Sequence, residues 1–541
     1  MKTKFKPEGW ANVPLESLIT FALGGDWGKD PESKLENYTD VYCIRGAEFR
    51  HWERDKGHTA SLRQVKETSM DSRKLRENDV LVEISGGGPE QPVGRTVLID
   101  KECLSYKPEI PKIATNFLRL IRPSKNVNAK YLNLYLKYFY KSGEVVNYQA
   151  GSNNLRNLRF NDYLGIEIPL APENEQSRIV EKIEELFSEL DSGIKSLAKA
   201  KQLLSVYRHA LLKQAFEGKL TTQWRADNLN QLEDPEKLLS TIRKERQVRY
   251  EKMVKAWEVD VGLWEQNGKK GKKPTKPAKL QDISELPSGN QIPDNWVTMA
   301  YGDLCSVVRN GVSKKPVGND GIKIFRISAV RAMKFDMEDY RFISDDNDEF
   351  KSFYLERGDL VFTRYNGTRN FVGVAAQYRS NERRLFPDKL IQTRPNLPSI
   401  DVAYLERAVN CASSRKFVES RIRTTAGQSG VSGSDIKQIP VPLCSLKEQR
   451  EINSILDEKL SVIDNLEREN ELNLQKAELL RQSILKKAFS GKLVSQDPED
   501  EPAIELLKKI AIEKEELAEK EKAEKAAARK KKATAKKTVK S

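Results

Sequence analysis

LLKQAFEGKL (residues 211–220) and ILKKAFSGKL (residues 484–493) are one phrase written twice. The match runs backwards from the phrase without a gap. Glu175-Gln176 corresponds to Glu448-Gln449, Ile179 to Ile452, Asp191 to Asp464, Arg208 to Arg481 and Leu220 to Leu493, every pair 273 residues apart. A constant offset over that length identifies an internal duplication, which constrains the architecture before any local assignment is made.

The duplicated segments read as long helices. Between Ile179 and Phe216 there is no proline and one glycine, Gly193. Ile183, Leu190, Leu197, Leu204 and Leu211 recur every seven residues, as in a coiled-coil seam. Leu186 and Tyr207 occupy a second seam, in which Gly193 and Ala200 are small. The second copy places Leu456, Ile463, Asn470, Ala477 and Ile484 on the first seam and Leu466, Asn473 and Leu480 on the second. An asparagine at such a position either fixes register or marks a splayed, wet stretch. PLAPENEQ and PVPLCSLKEQ supply proline and first-turn acids before each helix, and Gly218 and Gly491 suit a residue just past its end. At 1.5 Å per residue each helix is about 60 Å long. Two apolar stripes in one chain most simply pack on each other, and an antiparallel pairing gives a pseudo-two-fold arrangement.

The duplication also reaches upstream. PEGWANVPLESL (7–18) parallels PDNWVTMAYGDL (293–304), and YCIRG (42–46) parallels IFRIS (324–328). LRENDVLV (75–82) parallels LERGDLVF (355–362), AKYLNLYL (129–136) parallels VAYLERAV (402–409), and IEIPL (166–170) parallels IPVPL (439–443). Even the connectors agree: DPEKLLSTIRKE (234–245) and EPAIELLKKIAIEKE (501–515) share L-L-x-x-I-x-x-E. The expected organisation is a globular domain (1–170), a long helix (171–220), a charged helical connector with a Lys-rich linker (221–290), a second globular domain (291–443), a second long helix (444–493), and a charged helix with a basic tail (494–541).

A chain of 541 residues exceeds one core. Its 38% hydrophobic and 32% charged residues suit a soluble protein. No apolar run is long enough to span a membrane, MKTKFKPEGW does not read as a signal peptide, and five scattered cysteines suit a reducing cytoplasm. The net charge of +14 is concentrated: 267–279 carries six lysines and 529–541 seven positive charges, with no acid in either. These read as flexible arms with salt-dependent attraction to phosphate, or as plain solvated linkers. Catalytic signatures are missing. There is no N/D-P-P-Y/F tetrapeptide, no G-x-G-x-x-G and no G-x-x-x-x-G-K-[ST]. His51, His58 and His209 are the only histidines, and no acid or cysteine cluster completes a metal site around them. The expectation is a binding subunit without catalytic residues, metal or cofactor.

The ordered set P-E-G-W near the start, I-P-L-A-P-x-x-E-Q (168–176), P-V-P-L-x-x-x-x-E-Q (440–449) and the two A-F-x-G-K-L helix ends resembles the specificity subunit of type I restriction-modification enzymes. The resemblance covers essentially the whole chain. It implies an α+β protein with two pseudo-repeated target-recognition domains separated by two long helices in an antiparallel coiled coil. It further implies that each domain reads one half of a bipartite, asymmetric site in double-stranded DNA. The implied partners are two methyltransferase (modification) subunits and, through them, restriction/translocase subunits. The segment after Leu493 goes beyond that plan.

Base readout requires Arg, Lys, Asn, Gln and Ser side chains held on loops. In the first domain RGAEFR, EISGGGPEQPVGR and GSNNLRNLR offer Arg45, Arg50, Ser85, Gln91, Arg95, Ser152, Asn153, Asn154 and Arg156. In the second, FRISAVR, TRYNGTRN and AGQSGVSGS offer Arg326, Arg331, Arg364, Tyr365, Asn366, Arg369, Asn370, Gln428 and Ser429. The loops match in position and differ in residues, as a shared scaffold with different reading heads requires.

Overall fold

The computed structural model describes residues 7–538 except 34, 89–90, 152–155, 284–285, 287–291, 344–347 and 426. The chain forms two compact units, and the boundary between them cuts both long helices. Unit 1 is residues 1–197 with 472–541, and unit 2 is residues 198–471. Each unit therefore holds one globular domain, part of the helix that follows it in sequence, and part of the other long helix.

In unit 1 the central antiparallel sheet runs, edge to edge, Ile19–Gly24, Leu118–Pro123, Val80–Glu83, Thr96–Leu98. In unit 2 the same order is Cys305–Asn310, Leu390–Pro395, Leu360–Thr363, Ala375–Gln377. A two-stranded pair closes each domain, Ala11–Pro14 with Glu167–Leu170 and Val297–Ala300 with Pro440–Leu443. A small three-stranded sheet also recurs, with Ser85–Gly86 joining 149–150 and 156–158 in one unit and Tyr365–Asn366 joining 423–425 and 428–430 in the other. The remaining sheets diverge. Unit 1 has three strands, 61–66, 38–44 and 112–114, whereas unit 2 has two hairpins, 322–325 with 340–343 and 330–331 with 334–335.

The shared sequence motifs are the joints of this scaffold. The aspartates just before Val80–Glu83 and Leu360–Thr363 are fully buried, and each holds an arginine from the neighbouring strand: Asp79 with Arg122 at 2.6 and 2.8 Å, Asp359 with Arg394 at 2.7 and 2.9 Å. The helices Ala129–Lys141 and Val402–Asn410 are capped by Asn128 and Asp401, whose side chains accept first-turn N–H groups. Tyr131 Oη donates to Pro169 O at 2.5 Å and Tyr404 Oη to Pro442 O at 2.7 Å.

The Glu-Gln pair that opens each long helix (Glu173–Phe216 and Leu446–Ala488) fastens it to its own domain. Gln176 and Gln449 accept the backbone N–H of the capping residues Asn128 and Asp401 and donate to Ala171 O and Cys444 O. Glu175 accepts Trp10 Nε1–H at 2.9 Å, and Glu448 accepts Trp296 Nε1–H at 3.0 Å. The tryptophan of P-x-x-W and the glutamate of E-Q are thus one interaction seen from two places in the sequence.

The repeated phrase answers to the other domain. Leu211, Leu212, Ala215 and Phe216 are buried in the same cluster as Trp296, Tyr404, Ile452 and Leu456, with the Phe216 ring edge-on to Tyr404 at 5.2 Å. Ile484, Leu485, Ala488 and Phe489 are buried with Trp10, Tyr131, Ile179 and Ile183, with Phe489 5.3 Å from Tyr131. The glycines follow from this packing. Gly218 (φ 69°) lies so close to Pro293, and Gly491 (φ 66°) so close to Pro7, that an added Cβ would sit 2.3 and 2.2 Å from the proline rings. Gly491→Val and Gly218→Val are each expected to lose about 3 kcal/mol or more, from a left-handed backbone and overpacking together. Gly318→Ala, also at positive φ (87°) but facing open space, is expected to lose about 1 kcal/mol. Thermal melts of the three variants check the difference.

Within each unit the helix segments run antiparallel, as their ion pairs show in unit 2 and as Asp191–Arg481, together with the burial of Ile179 and Ile183 among Ile484 and Phe489, shows in unit 1. Asp191 pairs with Arg481 in unit 1, and Arg208 with Asp464 and Glu467, and Lys201 with Glu471, in unit 2. The two arginine–aspartate pairs are each other's counterparts in the duplication. Of the two apolar seams, one is the better covered: Ile183, Leu211, Leu456, Ile463, Asn470 and Ile484 are buried, and Leu190, Leu197, Leu204 and Ala477 are half-buried. The other stays open, with Tyr207, Leu466 and Leu480 about half exposed and Asn473 exposed. Two helices can cover one stripe on each other, and a second stripe needs a further surface.

The connectors are structural as well. In Pro235–Gln266, Leu238, Leu239 and Ile242 are buried and Glu245 accepts Ser399 Oγ–H at 2.7 Å. In Ala503–Thr538, Leu506 and Ile510 are buried and Glu513 accepts from Ser124 Oγ and from Asn126 Nδ2. L-L-x-x-I-x-x-E is therefore a docking code, and the segment beyond Leu493 uses it to strap the first domain.

Burial of Glu175 raises its pKa, with the Trp10 hydrogen bond and Arg178 opposing and Asp500 reinforcing. An acid whose folded pKa is raised binds more protons folded than unfolded, so stability falls as pH rises from its ordinary range through the raised value, then levels. Glu175→Gln keeps an acceptor for Trp10 and removes that slope. It is expected to lie within about 1 kcal/mol of wild type at pH 8. Urea melts at pH 5 and pH 8 should show wild type losing more stability than the variant between the two.

Candidate nucleic-acid interface

In the first domain, strand ends and turns surround a hollow of about 1180 Å³. Arg45, Arg50, Ser85, Gln91 and Arg95 all line it. The hollow exists because the chain leaves the central sheet at Glu83, crosses at Ser85–Gly86, and returns through the glycine turn to Arg95. Gly87 sits at φ 72° with an added Cβ only 2.5 Å from Gln91 O, so the turn closes on itself.

The arginines differ in their commitments. Arg95 donates to the buried carboxylate of Glu83 at 2.8 and 2.5 Å and to Gly46 O at 3.0 Å. Arg45 donates to Glu48 through Nε (3.0 Å) and Nη2 (2.5 Å), and the Glu48 carboxylate also takes the Arg45 backbone N–H. Hydrogen bonding to Glu83 and to Glu48 raises the pKa of Arg95 and of Arg45 respectively. Both acids are buried, so their charge is neutralised inside the wall of the hollow. Arg95 is the more buried of the two and holds the wall, while the Arg45 side chain remains 43% exposed. Arg50 is exposed. Arg156 lies on the strand opposite Gly86, beside the hollow. Ser152, Asn153 and Asn154 lie outside the described residues.

In the second domain the candidates fall into two groups. Tyr365 and Asn366 pair with Gly430 and Ser429 across the small sheet, and Gln428 is exposed at its turn. The Tyr365 ring packs against Gly430, where an added Cβ would lie 2.2 Å from it. Arg364 stacks on that ring at 4.7 Å and donates to Asp388 O. Ser429 is buried and shares a hydrogen bond with Thr424. Asn366 Oδ1 accepts Thr368 N–H, closing the turn. The second group is Arg331, Arg369 and Asn370. Arg331 stacks on Phe371 at 4.5 Å, Arg369 donates to Glu419 O, and Asn370 O accepts from Arg415. Arg326 stands apart from both, 3.5 Å from Asp339.

Sequence reading passed over Asn116 and Phe117, which line the first hollow, and Trp27, which lines it with Arg63 stacked on its ring at 4.5 Å. A signal was available for Phe117. IATNFLRLIRP (113–123) aligns with LFPDKLIQTRP (385–395), and the position before the shared leucine is Phe117 in one copy and Lys389 in the other. Among the described residues no group of three or more His, Cys, Asp or Glu is placed to hold a metal ion.

A family described as the type I restriction modification DNA specificity domain matches residues 7–200, the first domain and the start of its helix. The chain is 28% identical over 524 residues to the type I restriction enzyme EcoKI specificity subunit of Escherichia coli K12, covering 94% of this chain and 96% of that one. Along nearly its whole length the chain is similar to specificity subunits of type I restriction enzymes. The StySPI specificity subunit of Salmonella potsdam is 25% identical over 521 residues, covering 94% and 96%. A solved chain described in a study of complex assembly and conformational transition of the type I R-M system has the same fold, with a TM-score of 0.58, 16% identity, and coverage of 90% of this chain and 99% of that one. The match to the family description ends at residue 200, and the duplicated joints (Trp296–Glu448, Asp359–Arg394, Tyr404–Pro442) give the second domain the same construction.

Proposed function

We propose that this chain is the DNA-reading subunit of a type I restriction-modification complex and carries no catalysis of its own. Each recognition domain, 1–170 and 291–443, reads one half of a bipartite asymmetric target. The observation that carries this is one scaffold built twice with different side chains at equivalent surface positions. Conserving the joints while varying the surface yields two unlike half-sites from one architecture. Within the first surface, Arg50, Arg45 and Gln91 reach bases or phosphates, and Arg95 positions the wall. Within the second, Arg364 and Tyr365 form a stacked pair facing the bases, and Arg331 and Arg369 add positive charge.

The long helices set the gap between half-sites and dock two methyltransferase subunits, to which restriction/translocase subunits add. The open seam, with the apolar residue beside it in each helix, supports this role. Val206 and Tyr207 in the first helix, and their counterparts Leu479 and Leu480 in the second, are exposed. A duplicated exposed apolar stripe suits two copies of one partner. No helix among the described residues is long and apolar enough to cross a membrane.

The test is a methylome. The chain is expressed with its methyltransferase subunit in a methylation-free host and modified bases are mapped genome-wide. A split motif, two short half-sites around a fixed gap, is expected. A stable complex that methylates no such motif would sink the reading.

A further inference from the structure

We propose that Phe117 is a wedge that stacks into the DNA half-site read by the first domain, a device the second domain lacks. The inference rests on the DNA-reading role proposed above and adds a residue and a mode of contact to it. Phe117 is a large apolar side chain left 52% exposed while it lines the hollow beside Arg45, Arg50 and Gln91.

Its backbone is held on every side. Phe117 N–H donates to Thr115 Oγ1 at 3.0 Å. Its carbonyl accepts from Ile84 N (2.9 Å) and Ser85 N (3.3 Å). Leu118 N–H returns to Thr115 O at 2.9 Å, closing the turn. Beneath the turn Gly25 approaches so closely that an added Cβ would lie 2.1 Å from Thr115 O. The ring is therefore presented by a fixed turn, and little ordering is left to be done on binding. Glu83, which lines the hollow, and Glu48, behind Arg45, are paired with Arg95 and Arg45, which offsets their repulsion of a phosphate backbone approaching the ring.

In the second domain the same carbonyl belongs to Lys389, which accepts from Arg364 N (2.9 Å) and Tyr365 N (3.4 Å). Equivalent backbone thus carries an apolar ring in one reading head and an ammonium in the other. A flat apolar ring inserts at or stacks on a base step, whereas an ammonium contacts phosphate.

The test uses the full chain assembled with its methyltransferase subunits and duplexes carrying the motif found in the methylome. 2-Aminopurine is placed in turn through both half-sites, leaving the methylated base untouched. Wild type is expected to raise the fluorescence of one or two positions in one half-site only. Phe117→Ala is expected to abolish that rise, to weaken binding by about tenfold, and to relax the methylome in that half-site alone. Phe117→Leu, which keeps an apolar wedge, is expected to retain most of the signal. Because the side chain is half exposed, both variants should melt as wild type does. A Phe117→Ala complex with unchanged affinity, fluorescence and motif would overturn the wedge while leaving the proposed function standing. A wild-type complex with no bipartite motif would overturn the reading beneath it.

Discussion

Glu448→Ala is expected to destabilise unit 2 by about 3–5 kcal/mol, the range for removing one partner of a buried ion pair. The carboxylate is fully buried and is the meeting point of four donors. Arg225 Nη1 reaches it at 2.7 Å, Thr221 Oγ1 at 2.8 Å, Trp296 Nε1 at 3.0 Å and Asn295 Nδ2 at 3.3 Å. Alanine leaves a guanidinium without its counter-charge and an indole N–H without its acceptor in the same small volume. Glu448→Gln restores one acceptor for Trp296 but not the charge for Arg225, and should fall between. The contrast with Glu175, whose hydrogen bond is to Trp10, makes the result diagnostic. If urea melts place Glu448→Ala within 1 kcal/mol of wild type, the carboxylate does not anchor the second helix.

The second large effect concerns the helices as a ruler. Inserting four residues into both helices, between Asp191 and Lys201 and between Glu471 and Arg481, is expected to shift the DNA gap by one or two base pairs. Methylation of the original motif should drop to background. Four residues add about 6 Å and slightly more than one turn, so the helix faces stay nearly aligned. Paired insertions keep Asp191–Arg481, Arg208–Asp464 and Lys201–Glu471 in register. An insertion in one helix alone sets one group of pairs against the other, and loss of stability is expected instead of a new gap. An unchanged gap after the paired insertion would show that the helices do not set it.

The duplication, the two long helices and the presence of two globular units follow from the sequence alone. A fixed offset of 273 residues and a seven-residue apolar period are local and repetitive signals, and they survive without knowledge of the chain's path. Five of the nine first-domain candidates, Arg45, Arg50, Ser85, Gln91 and Arg95, line one hollow, because positions that diverge on a repeated scaffold lie on its surface. Tertiary structure alone decided what each of them does. Arg95 and Arg45 look equivalent in sequence, but Arg95 is bound into the wall by Glu83 and Gly46, whereas Arg45 remains partly free to reach outward. Phe117, an ordinary core-type residue in the sequence, is held outward by the turn beneath it. The repeated phrase itself is the clearest case. Its helical end could be read locally, but its glycine and phenylalanine answer to Pro293 and Tyr404, or to Pro7 and Tyr131, which lie far away along the chain. Periodicity reports which face of an element is apolar; only the folded path decides which surface that face meets.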